Sequence, residues 1–253
     1  MSRSFGVTVR GHRTRIVDAG RGEPVVLVHG TPLDLTSWDG VVAAVPGRRT
    51  VRYDVRGHGA AAGTPVPGPQ ELAADLVAVL DEVNVEAAHL VGHSWGGEIV
   101  LQTALDHPQR VSRLSVVCSR AAPFPAFLDV AAGLRAGTAD RTVSLARWFT
   151  ADELAADGPV VAAVRTRLET ADAQAWAGAL DMIAGFDVMA ALPAITVPVD
   201  VVAAEFDGVA VPGHMAAIAA ALPRSRYLMV TGAHHLLPMQ EPGLVGGVLT
   251  AGD

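Results

Sequence analysis

The ten residues from His89 to Glu98 constrain the fold of this chain more than any other segment. An apolar run leads into Gly92-His93-Ser94-Trp95-Gly96, and a helix-period segment follows. A serine between a strand and a helix sits on a tight bend that needs glycine on both sides, so its hydroxyl projects above the sheet. The bare pentapeptide would indicate only a glycine-rich turn with an exposed serine. The flanking strand and helix instead favour a nucleophilic serine.

Short apolar runs alternate with helix-period segments along most of the chain, which is typical of a mainly parallel sheet with helices on both faces. The predicted strands are residues 7–10, 13–17, 25–29, 50–53, 89–92, 114–118, 199–203 and 227–230. The predicted helices are residues 37–44, 70–83, 96–106, 212–222 and 244–249. The predicted fold class is therefore α/β, with an eight-stranded, mostly parallel sheet flanked by helices.

Residues 120–192 interrupt this alternation, because they carry helical periodicity and no strand signal. We interpret them as a helical cap, or lid, inserted into a core domain of residues 1–119 and 193–253. Within the cap, Thr150 and Glu153 have the spacing of a capping box, and Val160, Val161, Val164 and Leu168 fall on one helical face. Both junctions follow or precede central strands, so we expect the cap to cover the serine.

The composition excludes several classes of protein. The formal charge is -7, and no cluster of basic residues is available for nucleic acid. All 19 basic residues are arginines. Because the chain has no lysine, P-loop NTPases and enzymes that form a Schiff base on a lysine are excluded. Cys118 is the only cysteine, so an internal disulfide or a cysteine zinc cluster is excluded. We find no membrane span and no signal peptide, and we expect a cytoplasmic protein without a membrane partner.

A serine nucleophile needs a base, and the base needs an orienting carboxylate. Asp207 follows the predicted strand 199–203, and the pair His234-His235 follows the strand 227–230. Active sites of parallel sheets collect at the carboxyl ends of the strands, where both loops lie. Ser94, Asp207 and one of the two histidines are therefore the candidate catalytic triad.

The oxyanion of the reaction would need two backbone N–H donors. One is predicted at Trp95, directly after the nucleophile. The other is predicted at Thr31, because His29-Gly30-Thr31-Pro32 follows the strand 25–29 and glycine lets this backbone approach the reacting carbonyl.

These motifs resemble those of the α/β-hydrolase superfamily along nearly the whole chain. The order Ser94, Asp207, His235 is the order of that family. Residues 53–59 look like its D-x-R-G-H-G turn, and residues 232–242 look like its G-x-x-H-x-x-P-x-x-x-P ending, which favours His235 over His234 as the base. Residues 116–119, 147–150 and 187–198 look closest to the 3-oxoadipate enol-lactonase group, although that group usually has methionine where Trp95 stands. The resemblance implies that no metal or organic cofactor is needed.

Four residues are predicted to contact the substrate. Trp38, beside the oxyanion loop, lines the pocket or only fills space, and Trp148 belongs to the segment that resembles enol-lactonases. Arg120 begins the cap at a strand end, where it binds a substrate carboxylate or pairs with an acidic residue of the cap. Arg147 has the same two interpretations, with the structural one favoured.

The leading hypothesis is a serine hydrolase that cleaves a small-molecule ester or lactone through an acyl-enzyme. Two alternatives keep the triad but change the reaction, to carbon-carbon hydrolysis of a diketone or to cofactor-free perhydrolysis. A third is a non-catalytic ligand-binding protein of the same fold, against which the intact triad weighs. The oligomeric state is left open.

Overall fold

Eight strands form one sheet, and each of them overlaps a strand predicted from the sequence. The structure is a computed structural model that describes residues 2–251. The strands are β1 Ser2–Val9, β2 His12–Ala19, β3 Arg21–Val28, β4 Arg48–Tyr53, β5 Ala88–His93, β6 Val111–Val117, β7 Val199–Ala204 and β8 Ser225–Val230. Their order in the sheet is β1-β2-β4-β3-β5-β6-β7-β8. The pairs β1–β2 and β2–β4 are antiparallel, and the others are parallel.

The central strands are buried on both faces, which explains their nearly continuous apolar sequences. Residues 25–28 of β3 are fully buried, and every residue of β5 and β7 is buried. The polar residues inside these strands have internal partners. His89 of β5, for example, is hydrogen-bonded through Nε2 to the hydroxyl of Ser115 at 2.8 Å. The predicted fold class is therefore confirmed.

Eleven α-helices surround or extend this sheet within residues 2–251. They are α1 Asp39–Ala44, α2 Pro69–Glu82, α3 Trp95–Asp106, α4 Phe127–Ala136, α5 Leu145–Trp148, α6 Ala151–Ala156, α7 Pro159–Thr170, α8 Ala173–Gly185, α9 Pro212–Ala221, α10 Leu237–Gln240 and α11 Pro242–Thr250. The predicted helix 37–44 is divided between a 3₁₀ turn, Leu35–Trp38, and α1. The other four predicted helices correspond to α2, α3, α9 and α11.

Helices α4 to α8 lie between β6 and β7, in the segment predicted to be a cap. We call residues 120–192 the cap segment. The predicted capping box is present, since the side chain of Thr150 accepts from the N–H of Glu153 and the Glu153 carboxylate accepts from the N–H of Thr150. Helix α7 buries Val161, Val164 and Leu168, as its periodicity predicts. Helix α8 packs against α4.

The two ends of the cap segment are held together at the sheet. The N–H of Val188 donates to the carbonyl of Ala121 at 2.9 Å. This bond fixes the end of the cap segment next to its start, above the carboxyl ends of β6 and β7. Within residues 2–251, no helix is both long and apolar enough to cross a lipid bilayer.

Candidate active site

Ser94 lies on a sharp bend between β5 and α3, with φ 52° and ψ -122°. This conformation is strained for a residue with a side chain. Gly92 permits the bend, because a Cβ there would lie 2.2 Å from the carbonyl oxygen of Gly96. The Ser94 carbonyl accepts hydrogen bonds from the hydroxyl of Ser119 at 2.6 Å and from the N–H of Gly97 at 2.8 Å. The main chain of the serine is therefore held on both sides while its hydroxyl is directed into a pocket.

The structure brings the three predicted triad residues together. The Oγ of Ser94 lies 3.0 Å from Nε2 of His235, and Nδ1 of His235 lies 2.8 Å from Oδ2 of Asp207. Since the carboxylate only accepts, Nδ1 carries the proton and Nε2 is free to accept the serine proton. This arrangement of nucleophile, base and orienting carboxylate is the one that activates a serine hydroxyl.

Asp207 is held in its ionised form by the chain around it. Its other oxygen, Oδ1, accepts from the N–H of Val209 at 2.7 Å and from the N–H of Ala210 at 2.8 Å. Burial alone would raise the pKa of Asp207, but His235 and the two N–H groups outweigh burial and lower the pKa below its usual value. The buried carboxylate is therefore charged at neutral pH and orients the imidazole.

A second histidine positions the loop that carries the base. Nε2 of His93 lies 2.8 Å from the carbonyl oxygen of His235, so this nitrogen donates. Burial and the neighbouring His235 lower the pKa of His93 to about 3, which keeps its ring neutral. His234 has different surroundings, because its ring lies against Phe206, with 5.5 Å between the ring centroids. Only His235 therefore has the contacts that a base requires.

Thr31 and Trp95, the predicted oxyanion donors, lie on either side of the serine. Trp95 is the first residue of α3, so its N–H has no acceptor within the helix. Thr31 lines the same pocket as Ser94, and Gly30 allows this approach because a Cβ on it would lie 3.0 Å from the Cβ of Ser94.

His58 fixes the side chain of Thr31. Nδ1 of His58 lies 3.2 Å from the carbonyl of Arg56, so Nε2 accepts from the Thr31 hydroxyl at 2.8 Å. Burial, followed by the neighbouring His29, lowers the pKa of His58 to about 3. Both predicted oxyanion donors are thus attached to rigid elements, and their catalytic role remains a prediction.

The pocket above Ser94 measures about 430 Å³ when its opening to solvent is counted, and it is mostly apolar. We call it the nucleophile pocket. Trp148 stacks on His235, with the ring centroids 6.1 Å apart and the planes 23° from parallel. The lining residues are Thr31, Ser94, Phe127, Val130, Ser144, Arg147, Trp148, Trp176, Leu180, Ile183, Val209 and His235. Arg147 and Trp148 thus lie where the sequence predicted substrate contacts.

Two other predicted contacts do not reach this pocket. Trp38 is fully buried beneath it, edge-on to the ring of His93 at 6.5 Å between centroids, and therefore fills space.

Arg120 is not among the residues that line the pocket either. Its guanidinium donates to the carbonyls of Val209 at 2.7 Å and of Ala122 and Pro123 at 3.3 Å, and it lies over the ring of Phe124. Its interacting charges are Glu98 and Asp207. Arg120 is thus not among the residues that line the nucleophile pocket, and within residues 2–251 it forms no ion pair with a cap residue.

Sequence reasoning missed most of the residues that line the pocket. Trp176, Leu180 and Ile183 occupy one face of α8, and their spacing of four and three residues is visible in the sequence. That spacing indicates a buried face but does not reveal that the face covers a cavity. Among residues 2–251, no three His, Cys, Asp or Glu side chains are grouped as ligands for a metal ion.

Comparison with known families identifies relatives along the first half of the chain. Residues 23–151 match a family model described as alpha/beta hydrolase fold. A 2-hydroxymuconate semialdehyde hydrolase from Pseudomonas sp. strain CF600 is 34% identical over 128 residues, which cover 47% of this chain and 44% of that protein. The match thus spans less than half the length of that curated relative.

Solved structures match almost the whole chain. A hydrolase from Pseudomonas aeruginosa PA01 is 28% identical with a TM-score of 0.91, covering 98% of this chain and 97% of that one. The enol-lactonase from Burkholderia xenovorans LB400 is 25% identical with a TM-score of 0.92, covering 97% of this chain and 98% of that one. The resemblance predicted from the sequence motifs is therefore confirmed.

Proposed function

The chain belongs to the α/β-hydrolase family, and from that premise we propose that it hydrolyses a carboxylic ester or lactone through an acyl-enzyme on Ser94. The observation that carries the proposal is the continuous series of hydrogen bonds from the serine hydroxyl through His235 to Asp207. Relatives named as hydrolases support catalysis over ligand binding alone.

In the proposed reaction, Oγ of Ser94 attacks the carbonyl carbon while Nε2 of His235 accepts the hydroxyl proton. The negative charge that develops on the carbonyl oxygen is stabilised by the N–H groups of Thr31 and Trp95, each supplying about 3 kcal/mol. His235 then returns the proton to the leaving oxygen, and the acyl-enzyme forms. A water molecule, deprotonated by the same nitrogen, releases the acid and restores the serine.

The charge of the pocket suggests which esters it favours. Arg147 lines the nucleophile pocket and has no ion-pair partner among residues 2–251. An arginine in this position suits a substrate with a carboxylate, because charge-assisted hydrogen bonds to carboxylates are strong. We propose that Arg147 is the residue that favours acidic substrates, and that Arg120 has no part in their recognition.

Labelling with a fluorophosphonate and hydrolysis of p-nitrophenyl acetate test this function. Wild type should form one covalent adduct, and Ser94→Ala should lose the adduct together with at least about 10³-fold in kcat. Ser115→Ala is a matched control, since Ser115 also contacts a histidine ring nitrogen but is buried within β6. This control should keep both labelling and turnover.

A folded Ser94→Ala protein with near-normal turnover would refute the proposal. So would a wild-type protein that reacts with neither probe although circular dichroism shows it folded. Mass spectrometry of the labelled peptide decides which serine reacts, so adduct formation elsewhere is recognised directly.

One observation favours a second candidate, the hydrolysis of a carbon-carbon bond. The curated relative from Pseudomonas is named for a semialdehyde, a compound class that need not contain an ester. The same triad would serve, with water replacing the leaving carbon group. Turnover of a diketone above that of aryl and lactone esters would establish this alternative, whereas turnover of esters alone would exclude it.

A further inference from the structure

A second space adjoins the nucleophile pocket on the side of α4. We call it the side groove, and it measures about 790 Å³ when its opening to solvent is counted. Four residues line both spaces, namely Val130, Ser144, Arg147 and Trp176. The pocket and the groove therefore adjoin along these four side chains, and a ligand bound to Ser94 would reach the groove by passing them.

The walls of the side groove are predominantly apolar. Beyond the shared residues, the apolar part of the lining consists of Leu134, Ala139 and Val143. Val143 is 52% exposed, because no other part of residues 2–251 covers it. Two carboxylates, Asp129 and Asp140, stand at its edge. Such walls attract an alkyl chain and disfavour an anion.

Arg141, which also lines the groove, is already occupied. Its guanidinium donates to the carbonyls of Leu168, Glu169 and Ala171, at 3.2, 3.1 and 2.8 Å. Arg147 lines the nucleophile pocket as well as the groove, and the methylenes of a long cationic side chain can cover apolar surface there. Among the described residues that line the groove, Arg147 is therefore the one arginine without a carbonyl or ion-pair partner, and it stands at the boundary with the nucleophile pocket.

The direction of the groove determines which part of a substrate reaches it. The leaving oxygen must face His235, because that residue protonates it. Neither His235, Trp148 nor Thr31 lines the side groove. The part of the substrate that points away from His235, the acyl chain, is the part that points toward the groove.

We propose that the side groove binds the alkyl portion of a medium-length acyl chain, so that the protein hydrolyses esters or lactones of fatty acids longer than the nucleophile pocket holds. This inference rests on the proposed function of Ser94. A short acidic acyl group would end at Arg147, whereas a longer apolar chain would pass the stem of Arg147 and bury its end between α4 and the 3₁₀ turn Arg141–Ser144.

Two p-nitrophenyl esters test the proposal, the acetate and the octanoate, which share one leaving group. Val143→Asp should lower kcat/KM for the octanoate by about fivefold to tenfold, because a charge replaces apolar wall that the chain covers. The acetate should change less than twofold. Thr138→Trp, which fills the groove from an exposed position, should produce the same selective loss.

Leu128→Asp is the matched control. Leu128 is 51% exposed, nearly as much as Val143, and stands on α4 outside both the pocket and the groove. The same change from an apolar side chain to a carboxylate there should leave both esters unaffected.

The outcomes separate this inference from the proposed function. If wild type cleaves both esters and neither groove variant changes the octanoate-to-acetate ratio, the groove proposal is wrong and the serine hydrolase stands. An equal loss for both esters, or an equal effect of Leu128→Asp, also overturns it. If wild type cleaves neither ester and takes no phosphonate label, the proposed function fails, and the groove proposal fails with it.

Discussion

Replacement of Asp207 by asparagine should abolish most activity without unfolding the protein, and the hydrogen bonds around the carboxylate explain why. Oδ1 accepts from two backbone N–H groups, so the amide oxygen of an asparagine must occupy that position. The amide NH₂ then faces Nδ1 of His235 in place of Oδ2. Because the NH₂ group only donates, Nδ1 must become the acceptor and the imidazole proton must move to Nε2.

The wrong tautomer removes the base from the reaction. Nε2, 3.0 Å from the Ser94 hydroxyl, would carry a proton and could no longer accept one. In serine proteases, the same replacement lowers kcat by about 10⁴, which corresponds to about 5.5 kcal/mol of activation free energy. We expect a loss of that order here. All the hydrogen bonds of the side chain keep a partner, so the free energy of unfolding should change little.

The assay is burst and steady-state hydrolysis of p-nitrophenyl acetate, together with the thermal midpoint. Asp200→Asn is the matched control, since Asp200 is an equally buried aspartate in β7 that pairs with Arg113 and Arg226. It should lower the thermal midpoint and leave kcat nearly unchanged. An Asp207→Asn protein with kcat within tenfold of wild type, or with only KM altered, would refute the tautomer argument.

Three further sets of variants follow from the same structure. His235→Ala should abolish the burst of product, whereas His234→Ala should change only stability or KM, and stopped-flow measurement of the burst separates them. Arg147→Gln should raise KM for acidic esters by about tenfold to a hundredfold and leave neutral esters nearly unchanged. Arg120→Gln should instead reduce kcat for both kinds of ester alike, because it removes a donor to the loop of the triad carboxylate. Burial raises the pKa of Glu98 well above its usual value, and its Oε2 has no hydrogen-bond partner among residues 2–251. The stability that Glu98 contributes is thus present below the unfolded pKa of about 4.3 and is lost as pH rises through the higher folded pKa. Glu98→Gln should therefore raise the thermal midpoint more at pH 8 than at pH 5, and equal shifts at both pH values would contradict this argument.

The sheet could be predicted from the sequence because buried parallel strands leave continuous apolar runs. The least accurate boundary is that of β1, which begins at Ser2 and not at Val7. Its first residues are mostly exposed and pair with β2 through backbone hydrogen bonds, in the register Ser2 to Ala19. Exposed residues that pair only through the backbone show no apolar pattern in the sequence. A prediction from apolar residues therefore includes only the half-buried end of this strand.

The triad residues could be predicted because each stands in a short motif at the end of a strand. For the two arginines the guidance from the sequence is weaker: it leaves the role of Arg120 open and favours a structural role for Arg147, since both lie in the cap segment and carry the same charge. What separates them is the direction of each side chain. Arg120 turns back to carbonyls of its own loop and of Val209, whereas Arg147, on α5, lines the pocket. These directions depend on packing that no local pattern records.

The groups that react come from one part of the chain, and the groups predicted to select the substrate come from another. Trp148 links these two parts. Ser94, Asp207 and His235 are held by hydrogen bonds within the sheet and its loops, and the side groove is formed by α4, α8 and the loop between α4 and α5. Trp148, on α5, stacks on His235, and its carbonyl accepts from the Gln240 side chain at 3.5 Å. A substitution at Val143 should therefore change only which acyl chain binds, whereas one at Trp148 should change both binding and the rate of proton transfer.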